Sequence, residues 1–311
     1  MTLNTLQLIS ELEVATEGIT YDDDIFRVLL WQVNKKGEFS IFKLLQSEGF
    51  IEFVDVNDFL DFVTDENNWD NHDFMSLRSE FDSPSEAAKQ YSKQFCNLFK
   101  IINLKAQNLQ IYRANVPCWY SSKKTRKPEQ EAFHIIIFES FDGDWIGIAP
   151  KMQFEPNEGR IQRDKKIKIK QNHVIKANSL NIIKRLVKIL SNIEFSVIEY
   201  TASYREKKFV LEFGNTKESL IANLLESIGF VQIYDFERFS QPGEEWENVL
   251  SEEGEYFRNF YRRFQEIDKL LQENLTNLRE YAIGLDAVIY FYDIGKTQDD
   301  NWVGVWTTNR R

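Results

Sequence analysis

The heptapeptide Leu44-Leu45-Gln46-Ser47-Glu48-Gly49-Phe50 returns 180 residues later as Leu224-Leu225-Glu226-Ser227-Ile228-Gly229-Phe230. At the same offset Asp55 meets Asp235, Phe59 meets Phe239, and Leu29-Leu30-Trp31 falls on Phe209-Val210-Leu211. After a short deletion the order continues. Asn68-Trp69-Asp70 lies over Glu245-Trp246-Glu247, and Asn108 to Tyr112 lies over Asn277 to Tyr281. Asp144-Trp145-Ile146-Gly147-Ile148 then lies over Asn301-Trp302-Val303-Gly304-Val305. Matches in a fixed order indicate a divergent duplication, and each copy must then bury a core with the same sequence of elements. The 311 residues are therefore expected to form two tandem domains, 1–152 and 178–311, joined by a basic linker over 153–177. With 42% hydrophobic residues the chain has ample apolar material for two cores.

Periodicity sketches the repeated unit. Leu180, Ile183, Val187, Leu190 and Ile193 recur at helical spacing behind the capping candidates Asn178 and Ser179, and Leu6, Ile9 and Leu12 open the first copy in the same way. β-forming runs follow at 26–33 and 208–213, each leading to a short helix that stops at Gly49 or Gly229. A long helix is marked by Tyr91, Phe95, Leu98 and Ile102, and its counterpart by Phe257, Phe260, Phe264, Ile267, Leu271 and Leu275. These helices are expected to run on to Tyr112 and Tyr281. Each copy closes with a hairpin, 133–139 with 145–149 and 287–292 with 302–307. The fold class is α+β: two tandem α/β/α sandwich domains, each a mostly antiparallel sheet packed with helices. Within the linker, Lys165 to Lys170 alternates lysine with isoleucine and reads as an edge strand, while Ser121 to Gln130 reads as a basic hairpin loop.

Conventional catalysis has no foothold in these residues. Phosphate-binding glycine loops, dinucleotide fingerprints and nucleophile elbows are all missing from the sequence, so no catalytic residue is assigned. His72, His134 and His173 lack ligand partners at metal spacing, and no metal or cofactor is expected. His134 alternates within a strand and reads as a packed or surface residue. Cys96 and Cys118 form no disulfide framework, which suits a reducing, cytoplasmic setting. No apolar run approaches the roughly 20 residues that span a bilayer, so no membrane association is expected. The formal net charge of −11 argues against nucleic acid as a partner and favours a cationic protein surface, although Arg160 to Lys176 is a local basic segment.

Two features could make such a contact. Asp22, Asp23 and Asp24 form a run of carboxylates between the first helix and the first strand, read either as a solvated turn or as a charged docking surface. Asn68-Trp69 and Glu245-Trp246 each set a tryptophan among acids, read either as a partner anchor or as a core cover. Asp142-Gly143-Asp144 reads as a hairpin turn, since the other ligands of a calcium loop are missing.

Taken together, Ala15-Thr16-Glu17-Gly18-Ile19, Asp22 to Asp24, Phe26 to Trp31, Phe53-Val54-Asp55-Val56, Asn68-Trp69, Leu109 to Arg113 and Trp145 to Ala149 resemble the nuclease A inhibitor family. The resemblance covers most of 1–152, and 178–311 shares it through the repeat. It implies α/β/α sandwich domains that block non-specific DNA/RNA endonucleases. By position, the acidic contact of that family falls on Asp22 to Asp24, and its Asp-Trp pair falls on Asn68-Trp69 and on Glu245-Trp246. The expected function is thus non-enzymatic: an acidic substrate mimic that binds a magnesium-dependent nuclease. The alternative is an interaction module of the same fold with another protein partner.

Overall fold

The computed structural model describes residues 3–21, 24–64, 77–78, 84–116, 131–150, 174–191, 195–198, 203–206, 209–240, 255–285 and 288–308. The first half contains α1 (Thr5–Thr16), β1 (Thr20–Tyr21), β2 (Asp24–Ile25), β3 (Arg27–Trp31), α2 (Val33–Lys36), α3 (Ile41–Ser47), β4 (Ile51–Val54) and α4 (Val56–Thr64). It continues through β5 (Leu77–Arg78), α5 (Pro84–Lys105), β6 (Ala106–Val116), β7 (Glu131–Ser140) and β8 (Trp145–Pro150). The second half contains α6 (Ala177–Leu190), β9 (Phe195–Ile198), β10 (Ser203–Glu206), β11 (Phe209–Gly214), α7 (Lys217–Ser227) and β12 (Val231–Asp235). It ends with α8 (Glu255–Asn274), β13 (Thr276–Leu285), β14 (Val288–Lys296) and β15 (Trp302–Thr308). The class is α+β, with two antiparallel five-stranded sheets packed with helices.

The chain divides into two compact units, and each draws on both halves of the sequence. Unit 1 comprises Met1–Phe39, Pro156–Lys168 and Val231–Arg311; unit 2 comprises Ser40–Glu155 and Ile169–Phe230. The sheet of unit 1 runs β12-β13-β14-β15-β3, and that of unit 2 runs β4-β6-β7-β8-β11. Strand β3, early in the chain, pairs with β15 at its end, while β11 of the second half pairs with β8 of the first. The two strands exchange places, each completing the sheet that the other half of the chain begins.

The same local devices recur in both units. Gly49 and Gly229 take left-handed backbone (φ 77° and 83°) just past α3 and α7, a conformation that lets the chain leave the helix without a Cβ clash. Asn108 and Asn277 also sit at positive φ (51° and 52°), each at a register shift in the strand that follows a long helix. Those bulges correct one expectation: the long helices stop at Lys105 and Asn274, and residues through Tyr112 and Tyr281 are strand. Asparagine tolerates left-handed backbone better than most residues, so a helical run ends there and a bulged strand begins. The pairing also corrects the alignment of the exchanged strands. Glu212 lies opposite Gly147 as Leu29 lies opposite Gly304, so Phe209 corresponds to Phe26 and not to Leu29.

The long helices cover one face of each sheet, and in unit 2 α7 buries the other face as well. In unit 2, α4, α5 and α6 lay Phe59, Val63, Phe95, Leu98, Ile102, Ile182 and Leu186 on Ile111, Ile136, Ile146 and Ile148. In unit 1, α1 and α8 lay Leu8, Leu12, Phe264, Ile267 and Leu271 on Val303 and Val305. The buried stripes of α1 and α6 keep Leu12 and Leu190 as expected but differ elsewhere. Leu6 is 72% exposed, and Leu180 and Val187 are 42% and 49% exposed, whereas Leu8, Ile182 and Leu186 are buried. Both helices carry two adjacent apolar stripes, and packing on the sheet selects between them.

The caps also tie the two halves of the chain together. Asn4 and Gln7 form a capping box on α1. The Thr5 backbone N–H and hydroxyl both donate to the Asp299 carboxylate in the β14–β15 turn, at 3.1 and 2.8 Å. In unit 2 neither Asn178 nor Ser179 caps its own helix; the Asn178 backbone N–H donates to Asp142 (3.1 Å) in the β7–β8 turn. Ser140 and Ser179 hydroxyls meet at 2.8 Å, as Thr5 and Thr297 hydroxyls do at 3.1 Å. Asp142, Gly143 and Asp144 thus form a hairpin turn that also serves a helix N-terminus.

Candidate functional site

Of the residues singled out in the sequence, Asp24 is described as backbone in β2, where it pairs with Tyr21 of β1. Asp22, Asp23, Asn68, Trp69, Glu245 and Trp246 lie outside the described residues, as do the linker run 165–170, the loop 121–130, His72, His173 and Cys118. Their attachment points are nevertheless fixed. The hairpin β1–β2 grows from unit 1. The chain bearing Glu245 and Trp246 connects Ser240 to Glu255, both of unit 1, whereas the chain bearing Asn68 and Trp69 connects Thr64 to Leu77, both of unit 2.

The base of the hairpin is held from the far end of the sequence. At the end of α1, Arg263 of α8 donates to the carbonyls of Ala15 (3.2 Å), Val14 (3.2 Å) and Glu17. Terminal carbonyls of a helix carry partial negative charge and lack intrahelical donors, so a guanidinium there satisfies several at once. Phe26, directly after β2, meets Phe239 edge-on at 5.4 Å and Phe264 at 5.7 Å. Ring pairs of this kind contribute about 0.5–1.5 kcal/mol beyond area burial. The residues on either side of the hairpin are therefore tied to α8. Sequence periodicity located Phe26 and Phe264 as apolar, but no local signal joined Arg263 to residue 14.

Beside this root a groove opens between α1 and the edge strand β3, lined by Glu13, Val14, Glu17, Ile25 and Arg27 among others. Val14 and Ile25 are 65% and 54% exposed. On the opposite face of the sheet the Arg27 guanidinium lies over Trp306, 4.9 Å from the ring centroid. Trp306 in turn stacks on Tyr292 at 5.6 Å and leans on Tyr290 at 5.8 Å. At the matching sheet positions unit 2 has Val210, Ala149, Ile135 and Phe133, the last three buried. There α7 covers the sheet so closely that a Cβ at Gly147 would approach Leu224 at 3.0 Å.

The equivalent helices also differ in charge. Helix α1 carries Glu11 and Glu13, with Glu17 at its C-cap and no base, whereas α6 carries Lys184, Arg185 and Lys188 and no acid. A further contrast lies inside the sheets. Asp293 and Glu280 are cross-strand neighbours, 1% and 0% exposed, at the places where unit 2 has Ile136 and Ile111. Asp293 stands between Tyr292 and Ile294, and Glu280 between Arg279 and Tyr281, neighbours that gave no local signal of a buried carboxylate pair.

Several of the described groups are shifted from their ordinary values. His134, beside Phe59 at 4.9 Å, is pushed down to about 4 by burial and by the nearby Arg113. It is the packed strand residue expected. Burial raises Tyr281 to about 12 and raises Glu212, whose carboxylate accepts from the Ser227 hydroxyl at 2.5 Å. Two hydrogen bonds from Thr5 lower Asp299. Among the described residues no three His, Cys, Asp or Glu side chains are grouped to hold a metal ion, and no helix is long and apolar enough to cross a membrane.

No curated protein matches the chain. Residues 191–309 match the family model described as nuclease A inhibitor-like protein, so the second half of this chain, which supplies β12 to β15 and α8 to unit 1, is similar to proteins of that family.

Proposed function

We propose that the protein is a non-enzymatic inhibitor or binding protein of a magnesium-dependent, non-specific DNA/RNA endonuclease. The observation that carries this reading is the family match over 191–309, together with the α+β architecture and the acidic composition. A nuclease of this kind grips a polyanion with basic residues beside a metal ion. A protein that offers carboxylates in place of phosphates can steer into such a cleft and occlude it. Asp22 to Asp24 are the carboxylates proposed for this role, with Asn68-Trp69 and Glu245-Trp246 as proposed partner anchors. We also propose that the two halves arose as tandem copies of one inhibitor-like domain. The recurring bulges at Asn108 and Asn277 and the matching helix stops at Gly49 and Gly229 support that origin.

The test is a titration of the full chain into such an endonuclease degrading plasmid DNA. Saturable inhibition is expected. Replacing Asp22, Asp23 and Asp24 by Asn together with Trp69→Ala should raise the dissociation constant at least tenfold, about 1.4 kcal/mol. An unchanged constant would remove those residues from the contact.

A further inference from the structure

We infer that the edge of unit 1 where the end of α1 meets β3 is a docking surface for a basic protein, assembled from both halves of the chain. The choice of partner rests on the inhibitor reading above; the surface itself rests on geometry. Its apolar elements are Val14 and Ile25, both well exposed, and its aromatic element is Trp306, with Arg27 over it and Tyr290 tilted beside it. Trp, Tyr and Arg are the residues that dominate binding energy in protein interfaces, because each buries a large area while keeping a polar group for the partner. Arg27 belongs to both parts: it lines the groove and covers Trp306.

Charge selects the class of occupant. The first 26 residues contain six carboxylates and no Lys, Arg or His. Among the described residues that line the groove, Arg27 is the one base and it lies on Trp306, while Arg263, at the end of α1, has its donors taken by three carbonyls. Helix α8 otherwise carries Arg258, Arg262 and Lys269 against Glu255, Glu266, Asp268 and Glu273. A cleft built to hold phosphates meets the carboxylates of Glu13 and Glu17 here, with Val14 and Ile25 on the α1 side of β3 and Trp306 on its other face. At the corresponding edge of unit 2 Val210 stands for Arg27, Ala149 is buried in place of Trp306, and helix α6 carries bases, which repel the same partner. The exchange of β3 and β11 is what creates this asymmetry. It seats the acidic first segment on the strand that carries Trp306, so neither half of the sequence holds the surface alone.

The experiment uses the full chain and two probes: a magnesium-dependent non-specific endonuclease and the peptide nona-arginine, both by titration calorimetry. The variants are Ile25→Lys and Trp306→Ala, with Val187→Lys on exposed α6 as the control. Circular dichroism checks that each is folded. Ile25→Lys and Trp306→Ala should weaken endonuclease binding at least tenfold, and Val187→Lys less than twofold. If the endonuclease binds the parent chain and both unit 1 variants within twofold, the docking surface is overturned while the inhibitor reading stands. If no endonuclease binds but nona-arginine does, with tenfold loss confined to the unit 1 variants, the surface stands and the inhibitor reading falls. No saturable binding of either probe, or equal binding of nona-arginine by all forms in the absence of endonuclease binding, overturns the surface.

Discussion

His134→Gln should remove a pH dependence of folding that can be calculated from its position. In the sheet of unit 2, His134 is paired across from Arg113 and set against Phe59, and its pKa falls from 6.5 to about 4. Burial disfavours the charged imidazolium, and the guanidinium across the strand opposes it further. Between those two values the unfolded chain binds a proton that the folded chain does not, so stability rises with pH through this window. Conversely, the stabilisation is complete above pH 6.5 and is lost as pH falls toward 4. The full displacement corresponds to roughly 3 kcal/mol, and at pH 4.5 about 2.5 kcal/mol of it has been spent. Residual solvent at the ring lowers the expectation to about 1–2 kcal/mol. Urea unfolding followed by tryptophan fluorescence at pH 7.0, 6.0, 5.0 and 4.5 gives the parent and variant curves. Other carboxylates titrate equally in both, so the difference between the curves isolates His134. The variant should lose less stability than the parent on acidification, by about 1–2 kcal/mol. Parallel curves would refute the burial argument.

Three further outcomes follow from the geometry. Gly304→Ala places a Cβ 1.9 Å from the Asp293 carbonyl oxygen, against 3.0 Å from a movable Leu224 methyl for Gly147→Ala. Thermal unfolding should therefore show a loss of more than about 3 kcal/mol for the first and about 1–2 for the second; equal losses would contradict the strand pairing. Cutting the chain at a protease site placed within 156–168 should leave the two fragments together on size exclusion, because β3 pairs with β15 and β11 with β8. Separation under native conditions would rule the exchange out. Arg263→Ala removes three hydrogen bonds from the end of α1 and should cost about 1.5–3 kcal/mol, with faster amide hydrogen exchange in Ile19 to Phe26. Unchanged exchange there would free the hairpin root from Arg263.

Much of the secondary structure was legible because it depends on neighbours in sequence. The stops at Gly49 and Gly229, the two closing hairpins, and the buried rows Phe95-Leu98-Ile102 and Phe264-Ile267-Leu271 all follow from turn chemistry and period. The helix ends at Lys105 and Asn274 were missed because the bulges that follow are set by cross-strand pairing, which local spacing does not register. That Leu8 rather than Leu6 joins Leu12 in the buried stripe of α1 could not be chosen from spacing, since both are apolar and only the sheet beneath decides.

The exchange of strands marks the boundary between the two kinds of information. Sequence determines that Arg27–Trp31 and Phe209–Gly214 are strands, because β-branched and aromatic residues favour a pleated backbone. It also determines that β8 and β15 each present a Trp-x-Gly strand with an open edge. It does not determine which strand takes which edge. Backbone hydrogen bonds are the same for either pairing, so the selection falls to side chains distant in sequence: Phe26 against Phe239 and Phe264, Arg27 on Trp306, Phe209 against Phe95. Those contacts exist only once the sheets are assembled, and for that reason the tertiary structure alone decides which acidic segment stands beside which aromatic face.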